Sequence, residues 1–214
     1  MQGERAHNEE TMPGSATSHN AASHARAREP MTSPSPKEHP MLFSGAMVRA
    51  ILNGSKSQTR RIARPGGEHC PLTAKDARIR PGDRIWVRET WCEPEPGVEP
   101  RVVLYRADMT DEQLVEEREL KRSGVKSDAP WIPSIFMQRW ASRITLEITE
   151  VRVQRLQEIS EEDARAEGVQ PLQMDAGSYC PRFEGLWNGI NGERPGCAWA
   201  DNPWVWAFTF RRLP

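Results

Sequence analysis

The sequence predicts an α+β fold, a mixed β-barrel with short flanking helices behind a disordered N-terminal tail. Three observations predict it. Large apolar side chains recur with regular spacing only from about Met41 onward. Several later segments alternate apolar and polar residues as half-buried strands do. One of them, Ser142 to Val153, changes the parity of its alternation near Glu150, and a bulge or bend of that kind curls a sheet towards closure.

Residues 1–40 are mostly Ser, Ala, His, Glu and Pro, and they cannot bury enough apolar surface to offset the entropy of ordering. Residues 41–214 are long enough to hold one core. Met47, Val48, Ile51 and Leu52 recur at the offsets of an amphipathic helix, and Gly54 stands where a left-handed residue would stop it. From Ser57 the chain reads as extended, with Thr59 and Arg61 on one side. A Pro81-Gly82-Asp83 turn leads into a strand in which Ile85 and Val87 face one way and Trp86 and Arg88 the other. In the long strand Ile144, Leu146 and Ile148 share a face, and the alternation resumes at Val151 and Val153 on the other parity. Ser160, Glu161, Glu162 and Asp163 form a capping-box-like helix start, with Glu167 in the last turn and Gly168 as its end. In the closing strand, Asn202 to Phe210, Trp206, Phe208 and Phe210 share one face, while Val205, Ala207 and Thr209 share the other. That segment is expected well inside the sheet.

Composition excludes several classes of function. Lys and Arg number 29 against 30 Asp and Glu, so bulk coating of nucleic acid is not expected and any contact must come from a local patch. No apolar run is long enough to cross a membrane, and the tail lacks the apolar stretch of a signal peptide. Cys70, Cys92, Cys180 and Cys197 are dispersed without a CxxC pair, as reduced cytoplasmic thiols would be. The adjacent His69 and Cys70 are expected to point apart, as neighbours in a loop do, and no third ligand presents itself, so a metal site is not expected; no cofactor is implied either.

The stretch NGSKSQTRR, Asn53 to Arg61, gathers an amine, a hydroxyl and guanidiniums behind a helix end. A lysine held near other cations and partly desolvated loses proton affinity and can serve as a base toward a neighbouring hydroxyl, here Thr59. Arg61, with Arg60 beside it, suits a phosphate or a developing oxyanion. Taken alone, the cluster also reads as a solvated basic turn. Glu167 likewise reads alone as an exposed acid in a Glu-rich helix, although a helix C-terminus disfavours a carboxylate unless a cation compensates.

Gly54, Lys56, Thr59 and Arg61 spell GxKxxTxR, and the later segments follow in the order RPGDRIWVRETW, SRITLEITEVRVQRLQEISEEDARAEGV and NPWVWAFTF. The chain from about Met41 to its end thereby resembles the ASCH domain family, whose fold is related to PUA domains. With WIPSIFMQRWASR present, it is similar to the longer ASCH proteins met in phage and prophage genomes. The resemblance implies a PUA-like barrel and a pocket for a nucleoside, a nucleotide or a base in nucleic acid, with single-stranded RNA preferred over DNA as partner. Some short family members are amidohydrolases acting on N(4)-acetylcytidine. Carried over, their lysine, threonine and glutamate fall on Lys56, Thr59 and Glu167, with Arg61 near a developing oxyanion.

Two segments lengthen this chain relative to the short hydrolases, near residues 92–141 and 170–201. The first contains a charged run, Asp111 to Gly124, expected as a solvated helix, and then Trp131, Arg139, Trp140 and Arg143. Those aromatic and basic residues interleave as a base-stacking, phosphate-holding surface would, with Arg88 on the neighbouring strand, or else the tryptophans anchor a core. In the second segment Phe183, Leu186, Trp187 and Trp199 are expected to pack against the barrel. Three functions stay open: a nucleic-acid-binding module, an amidohydrolase, and a phage-associated accessory protein that binds other proteins.

Overall fold

The computed structural model describes residues 35–63, 73–124, 130–171 and 178–214. The tail expected over 1–40 falls outside them up to residue 34, as do His69 and Cys70. Within Ser35–Pro214, four helices flank a five-stranded mixed sheet, so the α+β expectation holds. The strands are β1 (Glu38–Leu42), β2 (Gln58–Ile62), β3 (Arg84–Arg88), β6 (Thr145–Arg155) and β7 (Trp204–Arg212), while β4 (Trp91–Cys92) and β5 (Leu104–Tyr105) form a separate hairpin. The helices are α1 (Gly45–Leu52), α2 (Asp111–Arg122), α3 (Glu161–Ala166) and α4 (Cys180–Asn191).

The sheet order is β1-β3-β6-β7-β2; β1 runs parallel to β3 and the other neighbours are antiparallel. The parity change near Glu150 is a register shift between Ile148 and Glu150 in the β6–β7 ladder. The bulge is present, yet the main-chain ladder does not close into a barrel among the described residues, because β1 and β2 remain its edges. A side chain spans the gap instead: Arg61 of β2 donates from Nη2 to the Leu42 carbonyl of β1 (2.7 Å), with its guanidinium over the Phe43 ring (5.2 Å). β1 takes in Glu38, His39 and Pro40, which the sequence placed in the tail, because their main chain and not their side chains joins the sheet.

Two cores follow from strand alternation. On one face Val48 and Ile51 of α1 pack with Phe43, Ile85, Val87, Leu146, Ile148, Phe208 and Phe210. On the other, Leu156, Ala164, Phe183, Trp187 and Val205 pack α3 and α4 against the sheet. Each large apolar side chain so buried contributes roughly 1.5–3 kcal/mol before entropy is counted. Phe183, Leu186, Trp187 and Trp199 thus pack as expected. The ladder pairs Thr59 with Phe208 and Arg61 with Trp206, which puts both on the α1 face; Gln58 and Arg60, opposite Thr209 and Ala207, face α3 and α4.

Candidate functional site

The turn after α1 delivers the motif. Gly54 ends the helix at φ +80°, and the chain curls back: the Lys56 N–H donates to Ala50 C=O (2.9 Å) and the Ser57 N–H to Ala166 C=O at the end of α3 (2.9 Å). Lys56 and Glu167 thereby form an isolated β-bridge. Gly168 permits the approach. It holds φ +80°, and a Cβ there would stand 2.8 Å from Lys56 Cβ and 2.9 Å from Ala50 Cβ.

A chain of charges grows from this contact. Lys56 Nζ donates to Glu167 Oε2 (2.7 Å) and to the Glu167 carbonyl (2.8 Å). Arg60 donates from Nη1 to Glu167 Oε1 (3.1 Å) and Gln58 Oε1 (2.6 Å), and from Nη2 to Asp163 Oδ2 (2.7 Å). Gln58 Nε2 (3.1 Å) and Arg152 Nη2 (2.9 Å) both donate to Asp163 Oδ1. Glu167 is only 4 % exposed, so it is not the solvated acid that its helix suggested; Lys56 and Arg60 are the cations that make its burial tolerable. Burial draws the Lys56 amine below its ordinary range, the Glu167 carboxylate holds it partly up, and the charges of Arg61 and Arg60 push it down again. Burial also lowers Arg61, again with Glu167 opposing.

The site brings some expected residues together and leaves others apart. Lys56 and Glu167 are in contact. Thr59 is 1 % exposed on the α1 face of β2, and the hydrogen bonds of Lys56 Nζ among the described residues go to Glu167 and not to the Thr59 hydroxyl. Arg60, expected to meet ligand, is buried and committed to Glu167, Gln58 and Asp163, so it positions the carboxylate instead. Arg88 is half-buried over the Trp86 ring (4.7 Å), and Trp131 is half-buried. Arg139 forms a two-point pair with Glu38 (2.8 and 3.1 Å), and Arg143 pairs with both Glu89 and Asp108. The cations of the interleaved aromatic and basic segment are therefore already spent on carboxylates. Trp140 stays 46 % exposed, with Arg101 stacked on it at 4.4 Å. Sequence reasoning missed Asp163, Arg152 and Gln58: Asp163 meets Gln58 and Arg60 from about a hundred residues away, and meets Arg152 only because α3 folds back on β6.

Two clefts flank the Val169–Gln170 segment. One, of about 400 Å³, is lined by Ser55, Ser57, Glu162, Arg165 and Tyr179 among others. The other, of about 350 Å³, lies between the start of α1, residues 167–170 and α4. Of Lys56, Thr59 and Glu167, only Glu167 lines either. Among the described residues no group of three or more His, Cys, Asp or Glu is arranged to hold a metal, and no described helix is long and apolar enough to cross a membrane.

No protein-family model, curated protein or solved structure matches the chain. A lysine ammonium has three N–H donors, and two here go to Glu167, which leaves one for a ligand oxygen.

Proposed function

We propose that this chain is a PUA-like domain of the ASCH kind whose site at Lys56, Thr59, Arg61 and Glu167 takes a nucleoside or an unstacked base of single-stranded nucleic acid, RNA in preference to DNA. The observation that carries the reading is the buried pair of Lys56 and Glu167, which stand 111 residues apart in sequence and meet at 2.7 Å. The resemblance singled out both residues, and a buried ion pair of this kind stabilises a fold little better than apolar packing would. Retaining it makes sense where its chemistry is used. The hydrogen bond by which Arg61 links the two edge strands supports the PUA-like barrel.

The same pair favours amidohydrolysis as a second reading. In its neutral form Lys56 would take the proton of Thr59, whose oxygen attacks the acetyl carbonyl of an N(4)-acetylated cytidine. The exocyclic amine leaves with the proton that Lys56 took from Thr59, given directly or relayed through Glu167, and water then hydrolyses the threonine ester to acetate. Arg61 would hold the developing oxyanion. This needs the Thr59 hydroxyl and the Lys56 amine to come into contact, and the burial that lowers the proton affinity of Lys56 favours its action as a base.

The test is calorimetric titration of the full chain with cytidine and N(4)-acetylcytidine, with release of cytidine followed in the same samples. Binding of either nucleoside that is lost in Lys56→Met supports the reading; absence of binding to both sinks it. Turnover that disappears in Lys56→Met and Thr59→Ala, and that rises with pH as Lys56 loses its proton, establishes the hydrolase. Binding without turnover leaves the recognition module.

A further inference from the structure

We propose that the 350 Å³ cleft between α1, residues 167–170 and α4 is the entrance to the Lys56–Glu167 site and that Arg182 at its rim makes it select a phosphorylated nucleoside over the free one. The inference rests on the nucleoside reading above. Lys56 is 3 % exposed and Thr59 1 %, and the main-chain bonds from Lys56 to Ala50 and from Ser57 to Ala166 wall the motif on the side of α1 and α3. Glu167 is the member of the site that reaches a cleft, and its carboxylate is the group that Lys56 Nζ holds at 2.7 Å.

The lining suits a nucleotide in its parts. Ala46, Met47, Val169 and Leu186 offer an apolar surface to a base, and the volume lies in the range of small-molecule pockets. Lys56, Arg60, Arg61 and Arg152 face two committed acids, Glu167 and Asp163, with the exposed Glu150 beside Arg152 at 3.6 Å. Donor capacity is also unspent, because Arg60 Nε is buried without a hydrogen-bond partner. Arg182 is exposed on α4 and is the cation among the described lining residues. Glu161 caps the start of α4, accepting from Tyr179 N–H (2.6 Å) and Ser178 Oγ (2.7 Å), and is not part of the cleft lining. A phosphate needs charge and forked donors, and a guanidinium supplies both.

Calorimetric titration of the full chain with cytidine 5′-monophosphate, cytidine and inorganic phosphate tests the proposal at low and at raised salt. The monophosphate is expected to bind about tenfold more tightly than cytidine, as one charge-assisted contact provides. That advantage should shrink with salt. Arg182→Ala should erase it while leaving cytidine affinity and melting temperature unchanged, and Arg182→Lys should keep most of it. Equal affinity for the two ligands in the parent, or an advantage that survives Arg182→Ala, overturns this inference and leaves the nucleoside reading standing. Failure of both ligands to bind overturns the two together.

Discussion

Gly168 and Gly54 share φ +80° and differ in what surrounds them. A methyl group at Gly54 meets nothing within 4 Å, whereas at Gly168 it would run into the Cβ atoms of Lys56 and Ala50. Gly54→Ala is therefore expected to cost only the left-handed backbone term, roughly 1 kcal/mol. Gly168→Ala adds the overlap, for a total of roughly 3 kcal/mol, because neither contact is the far end of a flexible side chain. Urea unfolding of the two variants beside the parent reads the difference. Equal losses would mean that the bridge between Lys56 and Glu167 yields easily, and the case for a preorganised pair would go with it. The motif was legible here only in part: Gly168 read as a helix end, but the steric reason for it lies in Lys56 and Ala50, more than a hundred residues earlier.

At the scale of elements, legibility followed whether each segment carried its own instructions. α1 and α3 did, with periodicity or a local cap: Ser44 and Ser160 each accept from the N–H three residues on. β3, β6 and β7 announced themselves by alternation, including the bulge near Glu150. α4 did not, since it contains Gly185 and Gly189, and Tyr179 at its start supplies no side-chain cap. Its cap is Glu161 of α3, which accepts from the N–H groups of Tyr179 and Cys180 and from Ser178 Oγ. These hydrogen bonds, the Tyr179 N–H first, hold the Glu161 carboxyl well below its ordinary range, at about 2. The folded value lies below the unfolded one, so the stabilisation is complete above the ordinary carboxyl range and is lost as pH falls through about 2. Hydrogen exchange at the Tyr179 and Cys180 amides should thus show protection that weakens as the pH approaches 2. Glu161→Gln should lower that protection already at neutral pH and flatten its acid dependence. Unchanged protection in the variant would show that Phe183 and Trp187 alone seat α4.

For the whole molecule, β1 decides where the domain begins, and it was the strand least visible in sequence. Glu-His-Pro-Met-Leu neither alternates cleanly nor lacks proline, and a parallel edge strand declares itself only through its partner. That partner is β3 with the turn before it. Arg84 N–H donates to Lys37 C=O (2.8 Å), and Asp83 accepts from the Lys37 N–H (3.0 Å) while lying 3.3 Å from His39 Nε2. Burial alone would raise the Asp83 carboxyl, but hydrogen bonds from the Arg80 and Lys37 main chain and from His39 hold it below its ordinary range. A chain starting at Ser35 keeps all of these contacts. One starting at Met41, where apolar periodicity begins, removes them, strips three of the five β1 pairings from β3, and leaves Asp83 short of two partners. Scanning calorimetry of the two truncations should place the shorter chain about 5 °C lower, the shift that roughly 2 kcal/mol produces in a domain of this size. Coincident transitions would mean that Met41 and Leu42 suffice to hold the edge, and that the sheet, like its core, starts where the apolar residues do.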